Sequence, residues 1–91
     1  MTNRISAKVI GLGADRDGAT IMLDNDPTIG PKDNVFRLEL NHGNYNALYS
    51  LALAAAANRW PLRIRIAGNG EIDPGVEATI ATLGVAWGEG V

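Results

Sequence analysis

Residues 36–66 read FRLELNHGNYNALYSLALAAAANRWPLRIRI, and the period of their apolar residues changes twice along that run. Phe36, Leu38 and Leu40 alternate with Arg37 and Glu39, which is the two-residue period of a strand with one buried face, ending near Asn41. From Asn44, placed as an N-cap, Tyr45, Leu48, Tyr49, Ala52 and Ala56 recur at three- and four-residue spacing, which predicts a helix over 45–58. Pro61 cannot continue that helix, because its ring clashes with the preceding turn. Leu62, Ile64 and Ile66 then alternate with Arg63 and Arg65 as another strand.

Outward from this segment the chain reads as strands alone. Upstream, Ile5, Ala7 and Val9 alternate with Arg4, Ser6 and Lys8, predicting a first strand over about 4–11. Asp15-Arg16-Asp17-Gly18 supplies a tight turn into a second alternating run, Ala19, Ile21 and Leu23 against Thr20, Met22 and Asp24, so the first two strands form a hairpin. Residues 24–34 hold two prolines, a glycine and several Asx residues, and are expected to be a long loop. Downstream, Gly68-Asn69-Gly70 and Asp73-Pro74-Gly75 are turn signals. Residues 78–87 are rich enough in Thr, Ile, Leu and Val to be a closing strand, with Gly84 expected to mark a bulge or bend. A helix inserted between the third and fourth of five strands predicts a five-stranded, OB-type antiparallel barrel, with 1–91 as a single domain.

Composition bounds the function. At 91 residues, 46% apolar and 20% charged, the chain is one ordinary globular unit. The absence of cysteine excludes disulfides, thiolate chemistry and cysteine-ligated metal sites. A net charge of −2 argues against general affinity for nucleic acid, whose binding is driven by neutralising phosphates. The start Met1-Thr2-Asn3-Arg4 shows no basic region followed by an apolar one, so the expected location is cytoplasmic if Met1 is the native start and open otherwise. The longest uncharged run, Asn41 to Asn58, is alanine-rich and falls short of the ~20 predominantly apolar residues of a membrane span, so no membrane insertion is expected.

Each candidate chemical motif has a plainer reading. Gly11-Leu12-Gly13 begins a dinucleotide-like pattern, but Arg16 stands where the third glycine belongs and a turn follows instead of a helix, which makes it a hairpin end. Asp24-Asn25-Asp26 resembles the start of a calcium loop, yet Ile29 replaces the tight-turn glycine and Val35 the final glutamate. His42, the only histidine, sits beside Gly43 ahead of the helix and is read as turn chemistry. Ser50 has no sequence-local base, Glu71, Asp73 and Glu77 flank a turn as a solvated acidic loop, and Trp60 and Trp87 are read as core or helix-end packing. Catalytic, cofactor and metal residues are therefore expected to be absent, and enzyme is the least supported class.

The run Asn44-Tyr45-Asn46-Ala47-Leu48-Tyr49-Ser50-Leu51-Ala52-Leu53-Ala54-Ala55, followed by a short gap and an alternating strand, resembles the central segment of small bacterial OB proteins related to the B subunits of pentameric toxins, over about 34–67. That resemblance implies ring assembly, with binding of cell-surface glycans or carriage of a partner subunit. It carries over no glycan-contacting residue.

Two residue sets are candidate surfaces. Arg4 and Lys8 on the first strand and Arg63 and Arg65 on the fourth point outward from neighbouring strands; they form either an anion-binding stripe or a solvated, aggregation-deterring face. On the helix, Tyr45, Leu48, Tyr49, Leu51 and Leu53 spread over roughly 200°, wider than the ~100° stripe that one core requires. Ala47, Ser50, Ala54 and Ala57 fill the rest, with no formal charge from Asn41 to Asn58. Either alanine is tolerated in solvent, or a second subunit packs there in a homo-oligomer. The leading reading is a non-enzymatic binding or assembly module, a ring-forming homo-oligomer whose ligand is a glycan or another small molecule. The alternative is an OB domain binding single-stranded nucleic acid or a nucleotide, against which Phe36 is the lone aromatic residue of strands two and three.

Overall fold

Each strand buries the apolar half of its alternation, and that pattern closes the chain into a barrel. The computed structural model describes residues 3–68 and 71–85. The elements are β1 (Arg4–Asp15), β2 (Gly18–Leu23), β3 (Val35–Glu39), α1 (Tyr45–Asn58), β4 (Pro61–Ile66) and β5 (Ala78–Val85). The strands close in the order β1-β2-β3-β5-β4, with the helix between β3 and β4, which is the OB-type arrangement. The second glycine-rich turn residues, Asn69 and Gly70, and the predicted end of the closing strand with Trp87 lie outside the described residues.

The core is apolar throughout. Ile21, Leu23, Phe36, Leu38, Leu62, Ile64 and Ile80 are completely or almost completely buried, each worth roughly 1.5–3 kcal/mol relative to exposure, and among the described residues no polar or charged residue is buried. Leu48, Ala52 and Ala55 seat α1 on this core, one helical face at spacings of four and three, with Tyr45, Tyr49 and Trp60 partly buried beside them. The helix stops by backbone geometry. Arg59 takes the left-handed conformation (φ 57°), and the amide of Trp60 donates to the Ala55 carbonyl at 3.0 Å while that of Arg59 reaches Ala56 at 3.4 Å, satisfying two carbonyls at the helix end.

The structure corrects the sequence reading at several points. The barrel is mixed rather than antiparallel: β3 and β5 pair in parallel at Phe36–Ala78 and Arg37–Thr79, because the four antiparallel pairings around the rest of the five-stranded barrel leave these two strands running the same way. β1 runs to Asp15 rather than 11. Val9 pairs with Leu23 and Gly11 with Met22, so Ile10 is an extra, bulged residue, 64% exposed; beyond it the inward position passes from Val9 to Leu12. That phase switch lets one strand serve two neighbours, β4 along residues 4–8 and β2 along residues 9–15. The bulge in β5 falls at Ala81, since Arg65 pairs with Thr82 and Ile66 with Ile80, whereas Gly84 pairs in register with Arg63.

The predicted cap also changes hands. Asn44 occupies the N-cap position, but its side chain makes no capping bond. Its amide donates instead to Nδ1 of His42 at 3.0 Å, while Nε2 of His42 lies 2.8 Å from the Ala81 carbonyl. A carbonyl only accepts, so Nε2 carries the proton and Nδ1 the lone pair. One neutral imidazole thus ties the entry of α1 to the bulge of β5.

Candidate functional site

Strand register decides which of the outward cations meet. The β1–β4 pairing sets Arg4 directly opposite Arg65 and Ser6 opposite Arg63; the β4–β5 pairing sets Arg65 opposite Thr82 and Arg63 opposite Gly84. Two rungs therefore cross this sheet side by side, Arg4–Arg65–Thr82 and Ser6–Arg63–Gly84. The three arginines, Thr82 and Gly84 line one surface depression, and among the described residues no carboxylate lines it. Lys8, the fourth residue of the predicted stripe, pairs with Pro61 further along β1 and does not line it. Sequence alternation located the arginines; Thr82 and Gly84 were invisible as partners because their pairing depends on the Ala81 bulge.

Gly84 shapes the depression. Among the described residues, nothing lies within 4 Å of where a β-carbon on it would sit, opposite Arg63 across the strands.

A second depression lies at the other end of β1, around the hairpin tip. Asp15, Asp17, Glu39 and Glu77 line it together with Arg16 and Arg37. Here the charges answer each other: Arg37 Nη2 lies 3.2 Å from Asp15 Oδ1, and the same oxygen accepts the Asp17 amide at 2.8 Å. The Asp17 amide bond and then Arg37 hold the Asp15 carboxyl below the usual carboxylate range, against a smaller opposing effect of desolvation. OB domains commonly take oligonucleotides on the face of strands two and three. Here Phe36, the aromatic residue of those strands, is completely buried.

The remaining candidates resolve into structural roles. Asp24 Oδ1 accepts the Lys8 amide at 3.0 Å, and Asp26 Oδ1 accepts both the amide (2.9 Å) and the hydroxyl (2.8 Å) of Thr28; these two bonds from Thr28 lower the Asp26 pKa. Asp73 Oδ1 accepts the Gly75 amide at 2.7 Å, closing the predicted Asp-Pro-Gly turn, and Glu71 and Glu77 are exposed. Ser50 is exposed on α1, and Trp60 packs on the core beyond the helix end. Among the described residues, no group of three or more His, Cys, Asp or Glu side chains is placed to hold a metal, and no helix is long and apolar enough to cross a membrane.

On α1 the predicted outer arc faces solvent. Ala47, Ser50 and Ala57 are exposed and Ala54 is half-buried. The 200° apolar arc divides: the core takes about 120° of it at 100° per residue, from Ala55 round to Tyr49, and leaves out Leu51 and Leu53, which are 38% and 45% exposed. The two leucines stand on either side of the small residues. Comparison of the chain with family models, with curated proteins and with solved structures finds no match.

Proposed function

We propose that the protein is a non-enzymatic binding or assembly module that works as a closed homo-oligomer, with the outer face of α1 as a subunit contact. The observation that carries this reading is Leu51 and Leu53 standing exposed around Ala47, Ser50, Ala54 and Ala57, on a helix with no formal charge. Small residues let a second backbone approach closely, and flanking leucines supply the apolar area that such an approach removes from water, at about 25 cal/mol per Å². An exposed helix face normally carries charges that keep a monomer soluble, and this one carries none.

The resemblance of residues 34–67 to toxin B-subunit relatives supports a ring over a simple dimer, with a pentamer as the favoured closure and a glycan, another small molecule or a partner subunit as what the ring carries. Light scattering coupled to size exclusion tests the assembly. The wild type is expected to elute as a multiple of 9.6 kDa at micromolar concentration. Ala54→Glu should break the assembly, because a contact that buries an unpaired carboxylate is strongly penalised, whereas Asn46→Glu, in the first turn of α1 and outside the small-residue set, should be milder. A wild type running as a 9.6 kDa monomer overturns the reading.

A further inference from the structure

We propose that the outer half of β1, Gly11 to Asp15, is a strand-pairing edge that takes the same edge of a second copy of this chain, antiparallel and centred on Gly13. The contact is separate from the helix face that carries the assembly reading and does not depend on it.

The backbone defines the edge. β1 pairs with β4 along residues 4–8 and with β2 along residues 9–15, so each half has a strand on one side. Asp15 and Gly18 flank a two-residue hairpin loop and therefore exchange both hydrogen bonds; in an antiparallel ladder such pairs alternate with pairs that exchange none. Gly13 and Gly11 thus turn their amides and carbonyls to β2, as Asp15 does, and Leu12 and Ala14 turn theirs the other way. The Leu40 amide, donating to the Asp17 carbonyl at 3.0 Å on the far side of β2, keeps the same phase. On the open side of β1, β4 extends only to Pro61, across from Lys8. Among the described residues no strand reaches Leu12 or Ala14 there, and Gly13, Ala14 and Asp15 are exposed.

The chemistry of that edge names its occupant. Donors and acceptors that recur at every second residue of an extended backbone are matched by another extended backbone, which is how strands add to sheet edges. Natural edges are ordinarily blunted by lysine, proline or a bulge. Residues 9–14 read VIGLGA, without a charge or a proline, and the bulge at Ile10 lies just outside the 11–15 stretch. Register follows from phase and charge. For side chains of both copies to share a sheet face, the axis relating two identical antiparallel strands must pass through a residue. Through Leu12 it would set Lys8 against the partner's Arg16 and call on Ile10 in the bulge; through Ala14 it would set Leu12 against Arg16, beyond the end of the strand. Through Gly13 it sets Leu12 opposite the partner's Ala14, so the free backbones meet, and Gly11 opposite the partner's Asp15, with no like charges facing.

Because the chain has no cysteine, an introduced one reports its distance to its own copy. Gly13 would face itself in a non-hydrogen-bonded pair, with Cα atoms about 4.5 Å apart, within disulfide range. A β-carbon at Gly13 comes within 3.3 Å of the Thr20 hydroxyl, a side-chain end that can rotate away. Gly13→Cys should therefore form a disulfide-linked dimer on mild oxidation at micromolar concentration, and Gly11→Cys should not. Hydrogen exchange at the Leu12 and Ala14 amides should slow as protein concentration rises. Ala14→Pro, which removes an amide of the open edge and none of the β2 ladder, should weaken self-association by about tenfold or more. If the proline variant does not fold, Gly13→Lys sets like charges directly opposite and should weaken it by about fivefold. Ala54→Glu on α1 should leave this dimer standing, and Ala14→Pro added to it should give a monomer. Exchange at Leu12 and Ala14 that ignores concentration, or equal cross-linking from Gly11→Cys and Gly13→Cys, overturns the proposal. An assembly that Ala54→Glu takes to monomer and the β1 variants leave whole overturns it too, with the helix-face reading intact. Protection of those two amides in a monomer by a synthetic peptide of residues 9–17, without self-association, overturns it in favour of a strand from another protein.

Discussion

β1 carries a charged depression at each end, and the two differ in the charges that line them. At Asp15 the strand meets β2 and β3, and acids and bases alternate around the hairpin tip, with Arg37 paired to Asp15 at 3.2 Å. At Arg4 the same strand meets β4 and, through it, β5, and three like charges share one lining. In the first region four carboxylates and two guanidinium groups share the lining, and Arg37 pairs with Asp15. In the second, strand register gathers three guanidinium groups on one lining. The Ile10 bulge divides them, giving each half of β1 its own neighbours.

The glycines of the two regions offer the largest contrast. Gly18, at the hairpin, has φ +145°, and a β-carbon there would run into the Leu38 carbonyl oxygen. Gly18→Ala should therefore destabilise the protein by about 1–3 kcal/mol, read as a lowered urea midpoint. Gly84→Ala meets neither obstacle and should be neutral or stabilising by up to about 1 kcal/mol, through the lower entropy of the unfolded chain. Equal losses at both positions would mean that the backbone demands glycine at 84 as well, and the comparison would fail there.

Charge substitutions should move stability in opposite directions at the two ends. Arg65→Glu places a carboxylate directly across from Arg4 and should raise stability by about 0.2–1 kcal/mol at low salt, the value of an opposite-charge cross-strand pair. Arg37→Gln removes the partner of Asp15 and should lower it by a similar ~0.2–1 kcal/mol. Both changes should shrink as salt is added. Denaturation midpoints of the two variants that move with the same sign would erase the distinction between the two ends.

The smallest expected effect is a pH dependence contributed by Asp15 at the hairpin and Asp26 in the long loop. Asp15 and Asp26 both have pKa values lowered from 3.8, Asp15 chiefly by the Asp17 amide and Asp26 by the Thr28 amide and hydroxyl. A carboxylate with a depressed folded-state pKa contributes stability that is full above the unfolded value and lost as pH falls through the folded one. Urea midpoints should thus be flat above that region, decline as pH is lowered through and below 3.8, and decline less steeply in Asp15→Asn. An Asp15→Asn slope identical to that of the wild type would show that the hairpin carboxylate is idle.

Local pattern made much of this legible. The helix bounds 45–58, the Asp15–Gly18 turn and the alternation of β2, β3 and β4 followed from the spacing of apolar residues and from turn chemistry, because those signals act between residues close in the chain. The outward arginines were legible for the same reason. Their company was not: Thr82 joins Arg65, and Gly84 joins Arg63, only after an extra residue at Ala81 shifts the register of β5. His42 was readable as turn chemistry, but its bond to the Ala81 carbonyl spans 39 residues and no local spacing announces it.

The sequence by itself determined which segments became strand or helix and which faces were apolar, since periodicity and backbone preference are properties of neighbouring residues. Tertiary structure alone decided the parallel closure of β3 on β5, the switch of β1 from one sheet neighbour to the other at Ile10, and the exclusion of Leu51 and Leu53 from a core that Leu48, Ala52 and Ala55 already fill. Each of these turns on the register of strands far apart in the chain or on the finite area a closed barrel offers to one helix. Those quantities are set by packing the whole, and no stretch of residues carries them alone.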